Sequence, residues 1–301
     1  ITGVGFKPDL NWIKDRDGTP SHVLHDIIRG VTKRLMSNNT NAEDTGSQIN
    51  SFDTDGFTVP NNNNNTNGND YVAWNWLGSN TTASNSNGSI TSTVSFNATS
   101  GFSVVKWTGS GANATIGHGL GSTPKVILVK NATATGNWKM WHKSFATMSG
   151  GNATSSLNLN TTSALINTAS VFNSMATINT NVFSVGAEGD TNQSNQTMVA
   201  YCFAEKQGYS KFGNYIGNGN ADGIFVYTGF KPAFVMIKQT NEAREFLILD
   251  NKRLGYNVKN YDLHPSSTAA EDTRERLDIV SNGFKMRDAS NANNKSGGSY
   301  I

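Results

Sequence analysis

Two acidic clusters stand out first. Asp15-Arg16-Asp17-Gly18 and Asp53-Thr54-Asp55-Gly56 place carboxylates at alternate positions before a glycine, the way a calcium loop opens. Neither is followed by the glutamate that completes such a loop, and Asp-Gly is itself a preferred turn dipeptide, so both read as turns and no metal is expected. His22 and His25 are three apart, which on a strand puts them on opposite faces with no third zinc ligand nearby. Gly117-His118-Gly119-Leu120-Gly121 has the glycines of a phosphate loop but no Lys-Ser/Thr after it, and reads as a flexible turn. Asp26 and Asp250 each precede an arginine by three residues, Arg29 and Arg253, which points to structural ion pairs at strand ends and not to a hydrolytic carboxylate pair. Cys202 is the lone cysteine, read as facing away from the core and chemically idle. Trp138, Trp141 and His142 remain as a possible ligand contact, an aromatic platform for a sugar ring, with Trp138 as core the competing reading. Triplets of the Asn-x-Ser/Thr type, as at Asn97, Asn113, Asn131 and Asn152, follow from composition. No catalytic residue and no cofactor are expected.

Composition limits the partners. Asn, Ser and Thr fill 101 of 301 positions, hydrophobic residues 36% and charged residues 15%, yet 15 Phe, 8 Tyr, 6 Trp and a net charge of +2 exclude disorder for most of the chain. Tyr71 to Ala187 has no acidic residue and five lysines, a charge too dilute for phosphate neutralisation, so nucleic acid is not an expected partner. No apolar stretch approaches the length of a membrane span and Ile1 onward lacks the pattern of an export signal, so no membrane insertion is expected.

These residues are positioned by a threefold internal repeat. Gly5-Phe6-Lys7-Pro8, Gly121-Ser122-Thr123-Pro124 and Gly229-Phe230-Lys231-Pro232 each introduce six residues ending in lysine, at Lys14, Lys130 and Lys238. Eighteen residues past each proline stand Asp26, His142 and Asp250, each closing a period-2 run that predicts a strand. Pro8, Pro124, Pro232, Asp26 and Asp250 are therefore structural anchors. A turn and strand recur at Asp55-Gly56-Phe57, Asn181-Val182-Phe183 and Asn282-Gly283-Phe284, and a further strand at 71–76, 198–203 and 300–301. In that strand one face carries Val72, Trp74 and Trp76, or Val199, Tyr201 and Phe203. An aromatic strand leads repeats 2 and 3, with Trp107 and Tyr215 each 17 residues before the proline.

The expected fold is all-β: three related β-sandwich or jelly-roll-like repeats of about five strands each, the first and last incomplete. Repeat 1 spans 1–78, a Ser/Thr/Asn-rich linker or edge arm 79–100, repeat 2 101–208 and repeat 3 209–301. The spacing places both ends inside a repeat, as in part of a longer polypeptide with an aromatic strand about 17 residues before Pro8. Asn61 to Asn65 is a polar tip, Ser144 to Thr180 suggests added strands, and Ser21–Met36 and Ala269–Leu277 have a helical look.

As a set, residues 5–14, 51–58, 71–76, 117–121 and 201–205 with 208–213 resemble an uncharacterised repeat family of structural proteins in tailed, mostly marine, bacteriophages, whose members often carry a tail-fibre label. The resemblance covers nearly the whole chain and implies a virion context without catalytic residues. It implies a non-enzymatic protein on the particle surface, a fibre or appendage with a host-attachment role, self-associating (a trimer by fibre analogy) and bound to other virion proteins, with a host glycan or protein as receptor. The alternatives are a capsid decoration protein and a cell-surface adhesin or filament subunit.

Overall fold

The computed structural model describes residues 1–46, 49–60, 65–253, 257 and 260–301. Most of the polar tip, Asn61 to Asn64, lies outside the described residues, and Asn65 beside it is exposed. The architecture is all-β, as the alternating runs predict, with several antiparallel sheets. Repeat 1 holds β1 (Leu10–Asp15), β2 (Val23–Asp26), β3 (Leu35–Met36), β4 (Ser51–Asp53), β5 (Gly56–Thr58) and β6 (Tyr71–Trp76). Next come β7 (Ala83–Asn85) and β8 (Ser92–Asn97). Repeat 2 holds β9 (Phe102–Thr108), β10 (Ala114–Gly117), β11 (Pro124–Asn131), β12 (Lys139–His142), β13 (Ser155–Asn158), β14 (Ile166–Asn167), β15 (Val182–Val185) and β16 (Thr197–Ala204). Repeat 3 holds β17 (Tyr215–Ile216), β18 (Phe225–Tyr227), β19 (Phe234–Lys238), β20 (Phe246–Asp250), β21 (Asn260–Asp262), β22 (Asp272–Arg274), β23 (Leu277–Val280), β24 (Gly283–Met286) and β25 (Ser299–Tyr300). Each repeat therefore has more, and shorter, strands than the five expected.

The Gly-x-x-Pro turn starts the same hairpin in every copy: β1 with β2, β11 with β12 and β19 with β20. The final strand lies on the other side of that hairpin, β6 against β1 and β16 against β11. A smaller layer covers the outer face, β15 with β10 in repeat 2 and β24 with β18 and β23 in repeat 3. Ile1 takes the corresponding place in repeat 1, exchanging backbone hydrogen bonds with Phe57 at 2.8 and 3.1 Å. Between layers each repeat has its own core, exemplified by Ile13 and Phe57, by Trp107 and Phe183, and by Ile237 and Phe284.

The inner faces of the three hairpin sheets meet in one further core. Leu10, Trp12 and Leu24 of repeat 1, Leu128, Trp138 and Met140 of repeat 2, and Phe246, Ile248 and Leu263 of repeat 3 all belong to it. Hairpin strands are thus buried on both faces; all six residues of β1 and all five of β20 are inaccessible. A ring of backbone bonds closes the arrangement. The N–H of Glu43 reaches Ala132 O at 2.7 Å, that of Leu165 reaches Thr240 O at 2.8 Å, and that of Glu271 reaches Arg16 O at 2.8 Å. Arg16, Ala132 and Thr240 are each eight residues past the anchor proline, so the bonds run from repeat 1 to 2, 2 to 3 and 3 to 1. A second series, Gly136 N–H to Thr40 O and Arg244 N–H to Thr162 O, both 2.8 Å, has no third member from this position because the matching residue is Pro20, which has no N–H.

Several expectations need correction. Ser21–Met36 is not helical: Asp26 Oδ1 accepts the N–H groups of Ile28 and Arg29, Gly30 sits at φ 88°, and the chain turns from β2 toward β3. Ala269–Leu277 is extended as well, with β22 pairing β21 and Asn260 Oδ1 accepting the N–H groups of Arg276 and Leu277. The helical turns lie elsewhere, as α1 (Ala169–Phe172), α2 (Gly189–Asn192) and a 3-10 turn at Asn173–Met175. The connection from Ser144 to Thr180 supplies β13 and β14, as expected, but also α1 and the 3-10 turn. Residues 79–100 are an edge arm, not a linker: β8 and β7 extend the repeat 2 sheet to eight strands. Asp9 of repeat 1 ties the arm down, accepting Gly78 N–H at 2.9 Å and the Ser95 hydroxyl at 2.5 Å.

The anchors Asp26 and Asp250 form the expected ion pairs. Arg29 Nε meets Asp26 Oδ2 at 2.6 Å and Arg253 Nε meets Asp250 Oδ2 at 2.8 Å, all four side chains nearly inaccessible. Each carboxylate also receives an aromatic donor from another repeat: Tyr201 Oη to Asp26 at 2.9 Å, and Trp74 Nε1 to Asp250 at 3.1 Å. Two substitutions separate these contributions. Tyr201→Phe, which loses the bond to Asp26 and a longer one accepted from Arg29 at 3.4 Å, is expected to cost about 1 kcal/mol in urea unfolding. Asp26→Ala leaves the buried Arg29 guanidinium with Glu43, at 3.4 Å, as its remaining charged partner and is expected to cost about 3 kcal/mol.

Candidate functional site

The three residues of the expected aromatic platform do not form one. Trp138 is 0% exposed in the central core, stacked on Tyr201 with ring centroids 6.1 Å apart, and its Nε1 donates to Met36 O at 2.8 Å. Trp141 is half-buried on the opposite face of β12. His142 is buried, its Nδ1 accepting Ser144 N–H at 3.1 Å. The alternation of β12 separates Trp141 from the other two, and neither tryptophan presents a free face beside the other.

The other residues with chemical potential are also bound into the fold. Asp55 accepts Gly3 and Gly5 N–H groups at 2.9 and 2.6 Å, Asp53 accepts the Ser51 and Thr58 hydroxyls at 2.7 Å, and Asp15 accepts Asp17 and Gly18 N–H groups at 2.9 Å. These are the turns expected from the dipeptides. Among the described residues no three His, Cys, Asp or Glu side chains converge as a metal site. The turn at His118 is fixed, not flexible: its Nδ1 accepts Leu120 N–H at 3.2 Å and its carbonyl accepts the Ser103 hydroxyl at 2.7 Å. Cys202 does not face away from the core. It is fully buried in the repeat 2 sandwich, where burial pushes its thiol pKa up. Asn75, its counterpart, is half-buried and bonded to Asn11.

Lys14, Lys130 and Lys238, which sequence reasoning noted only as markers of the repeat, are fully buried. Each Nζ donates to the carbonyl of the next residue, at 2.5, 2.8 and 2.8 Å. Lys130 also reaches Thr40 O and Lys238 reaches Thr162 O, both at 3.2 Å, across a repeat boundary. Burial pulls all three pKa values down to about 8. Their recurrence at a fixed distance from each proline was the available signal; their burial was not visible.

Two cavities stand out. The larger, about 1010 Å³, lies between the repeats and is lined by aromatic rings that include Trp74, Trp76, Phe203, Phe212 and Phe234. Phe234 stands 5.7 Å from Trp74 and 5.9 Å from Trp76, edge to face. The smaller, about 270 Å³, lies in repeat 1 against Phe57 and Tyr71. The corresponding places hold Trp107 packed edge-on to Phe183 in repeat 2, and Tyr215 stacked on Tyr300 in repeat 3.

The profile of a family described as "Domain of unknown function (DUF7483)" matches residues 1–301. The chain belongs to this family. No curated protein and no solved structure matches it. Membership in DUF7483 assigns no chemistry, so the candidate site rests on geometry, and the inter-repeat groove is the concave surface it offers.

Buried histidines set the response to acid. Burial lowers the pKa of His25 and His118 from 6.5 to about 4, that of His142 to about 3, and that of His22 well below 6.5. Between these values and 6.5 the unfolded chain binds more protons than the folded one. Stability is therefore complete above pH 6.5 and declines as pH falls toward 4, by about 1.4 kcal/mol per pH unit for each histidine in its window. Urea titrations at pH 7, 5.5 and 4.5 check this through a falling midpoint. Cys202 gives an independent test: its thiol is expected to react with a disulfide reagent only as fast as the protein unfolds, and rapid native labelling would contradict its placement.

Proposed function

We propose that this DUF7483 chain is a non-enzymatic structural module of a bacteriophage particle, part of a surface appendage that assembles with itself and with other virion proteins and serves attachment to a host-surface glycan or protein. The motif resemblance supports the virion context. The observation that carries the structural role is the commitment of Asp26, Asp250, Lys130 and Lys238 to holding repeats together. A module stiffened in this way suits the transmission of load along an appendage. Self-association accords with β6, which among the described residues pairs with β1 alone and leaves an unpaired edge. A trimer is the state expected by analogy with fibres.

Labelled antibody against the chain, imaged on intact particles by electron microscopy, tests the proposal. Label on a tail appendage is the expected result. Label over capsomer junctions would replace it with a capsid decoration role, and absence of the chain from purified particles would overturn the virion reading altogether.

A further inference from the structure

The outer layer of repeat 3 leaves two aromatic rings in solvent. β18, β24 and β23 form a three-stranded sheet whose inner face, with Val226, Phe284 and Ile279, packs on the core of the repeat. Alternation turns Phe225 and Tyr227 to the outer face, where they are 47% and 64% exposed. Two residues apart on one strand, their Cα atoms are separated by roughly 7 Å. Gly283 lies opposite Tyr227, and the Phe225 ring leans across it: a Cβ there would meet Phe225 Cε2 at 2.9 Å. The backbone of the strand is open as well. Ile224 O accepts Met286 N–H at 2.9 Å and Thr228 N–H reaches Asn282 O at 3.0 Å, so the ladder turns the N–H and C=O groups of Phe225 and Tyr227 away from β24. Among the described residues β18 pairs with no other strand.

In repeat 2 the same place is closed. Ile116 pairs with Phe183 as Val226 pairs with Phe284, so Thr115 and Gly117 match Phe225 and Tyr227. Neither carries a ring, and the arm covers both: Ser89 N–H donates to Thr115 Oγ1 at 2.9 Å, and a Cβ at Gly117 would run into Asn85 Oδ1. In repeat 3 charges border the rings instead, and each is paired. Lys285, opposite Phe225, meets Asp222 at 2.7 Å, and Arg287 meets Asp278 at 3.2 Å. The face therefore offers donors and acceptors beside two rings without an excess of either sign. That suits an uncharged ligand with an apolar side and many hydroxyls, and it disfavours a phosphate chain. Four charged side chains beside so small an apolar patch also differ from the charge-depleted centre of a protein interface.

We propose that the outer face of β18 and β24 is a binding site for a neutral pyranose glycan, with successive sugar rings stacked on Phe225 and Tyr227. Lys285, Asp222 and the open backbone groups of β18 bond the hydroxyls. This gives the attachment role proposed above its site, and it rests on that reading for its biological setting.

The test applies the 301-residue chain to an array of neutral oligosaccharides of glucose, galactose, mannose and N-acetylhexosamine, with hyaluronan fragments as the anionic control. Binding to a neutral class and none to hyaluronan is expected. Phe225→Ala and Tyr227→Ala should each weaken binding about tenfold, while Tyr227→Phe, which keeps the ring, retains most of it. Because both side chains are exposed, none of the three should move the urea midpoint. Failure of every neutral glycan to bind, a preference for hyaluronan, or binding unchanged in both alanine variants would overturn the proposal. So would dimerisation that the alanine variants abolish and no glycan competes with, since the face would then belong to a second copy. Label on a tail appendage together with no glycan binding removes this site and leaves the virion role; glycan binding by a chain absent from particles keeps the site and removes the virion role.

Discussion

Each hairpin sheet in this chain has two sides to bury, and that requirement organises the rest. A hairpin such as β1–β2 packs outward on its own small layer and inward on the hairpins of the other two repeats. The inward face has no solvent-compatible alternative, because Trp12, Trp138, Tyr201 and Phe246 lie on it. Closing three such faces around one core creates three boundaries, and each is sealed by the same backbone bond, donated by Glu43, Leu165 or Glu271. One such bond contributes only about 1 kcal/mol. Its importance is geometric, since it sets the register in which the inner apolar faces meet.

The polar composition becomes intelligible inside this frame. Asn192 accepts Trp107 Nε1–H and Ser110 N–H and donates to Ala112 O and Ser110 Oγ, and so ties the loop after β9 to α2, ahead of the last strand of repeat 2. Asn294, at the same place in repeat 3, accepts Asn218 N–H and donates to Asn218 Oδ1, Asn220 O and Asp288 O. Asn65 holds this position in repeat 1, where among the described residues no such loop lies against it, and it is exposed. Many Asn, Ser and Thr residues are therefore loop fasteners in a protein with little regular structure between short strands. The low hydrophobic fraction does not leave thin sandwiches in need of outside partners for their inner faces. Each repeat finds those partners in the other two.

The repeat made the hairpins, the anchor ion pairs and the all-β class legible, because local turn chemistry and period-2 alternation act within a few residues. Where a face points depends on what lies beyond it. Cys202 was read as outward because its strand was assumed to have one buried face, whereas β16 has two. Trp138 was legible as core through its alignment with Phe246, but its separation from Trp141 depended on the pairing of β12. The apolar and charged residues between Ser21 and Met36 suggested a helix that the Asp26 turn and Gly30 prevent. The cross-repeat bonds of Lys130 and Lys238 and the ring of backbone bonds involve partners 75 to 255 residues apart, which no local pattern encodes.

The central claim is that three repeats form one cooperative body around a shared core. Peptide-resolved hydrogen exchange across a urea series measures it directly, read at peptides spanning Glu43, Leu165 and Glu271. The account predicts that these amides, in three different repeats, converge on a single opening free energy and lose protection in one transition. Separate transitions, with one repeat exchanging freely while the others stay protected, would contradict it.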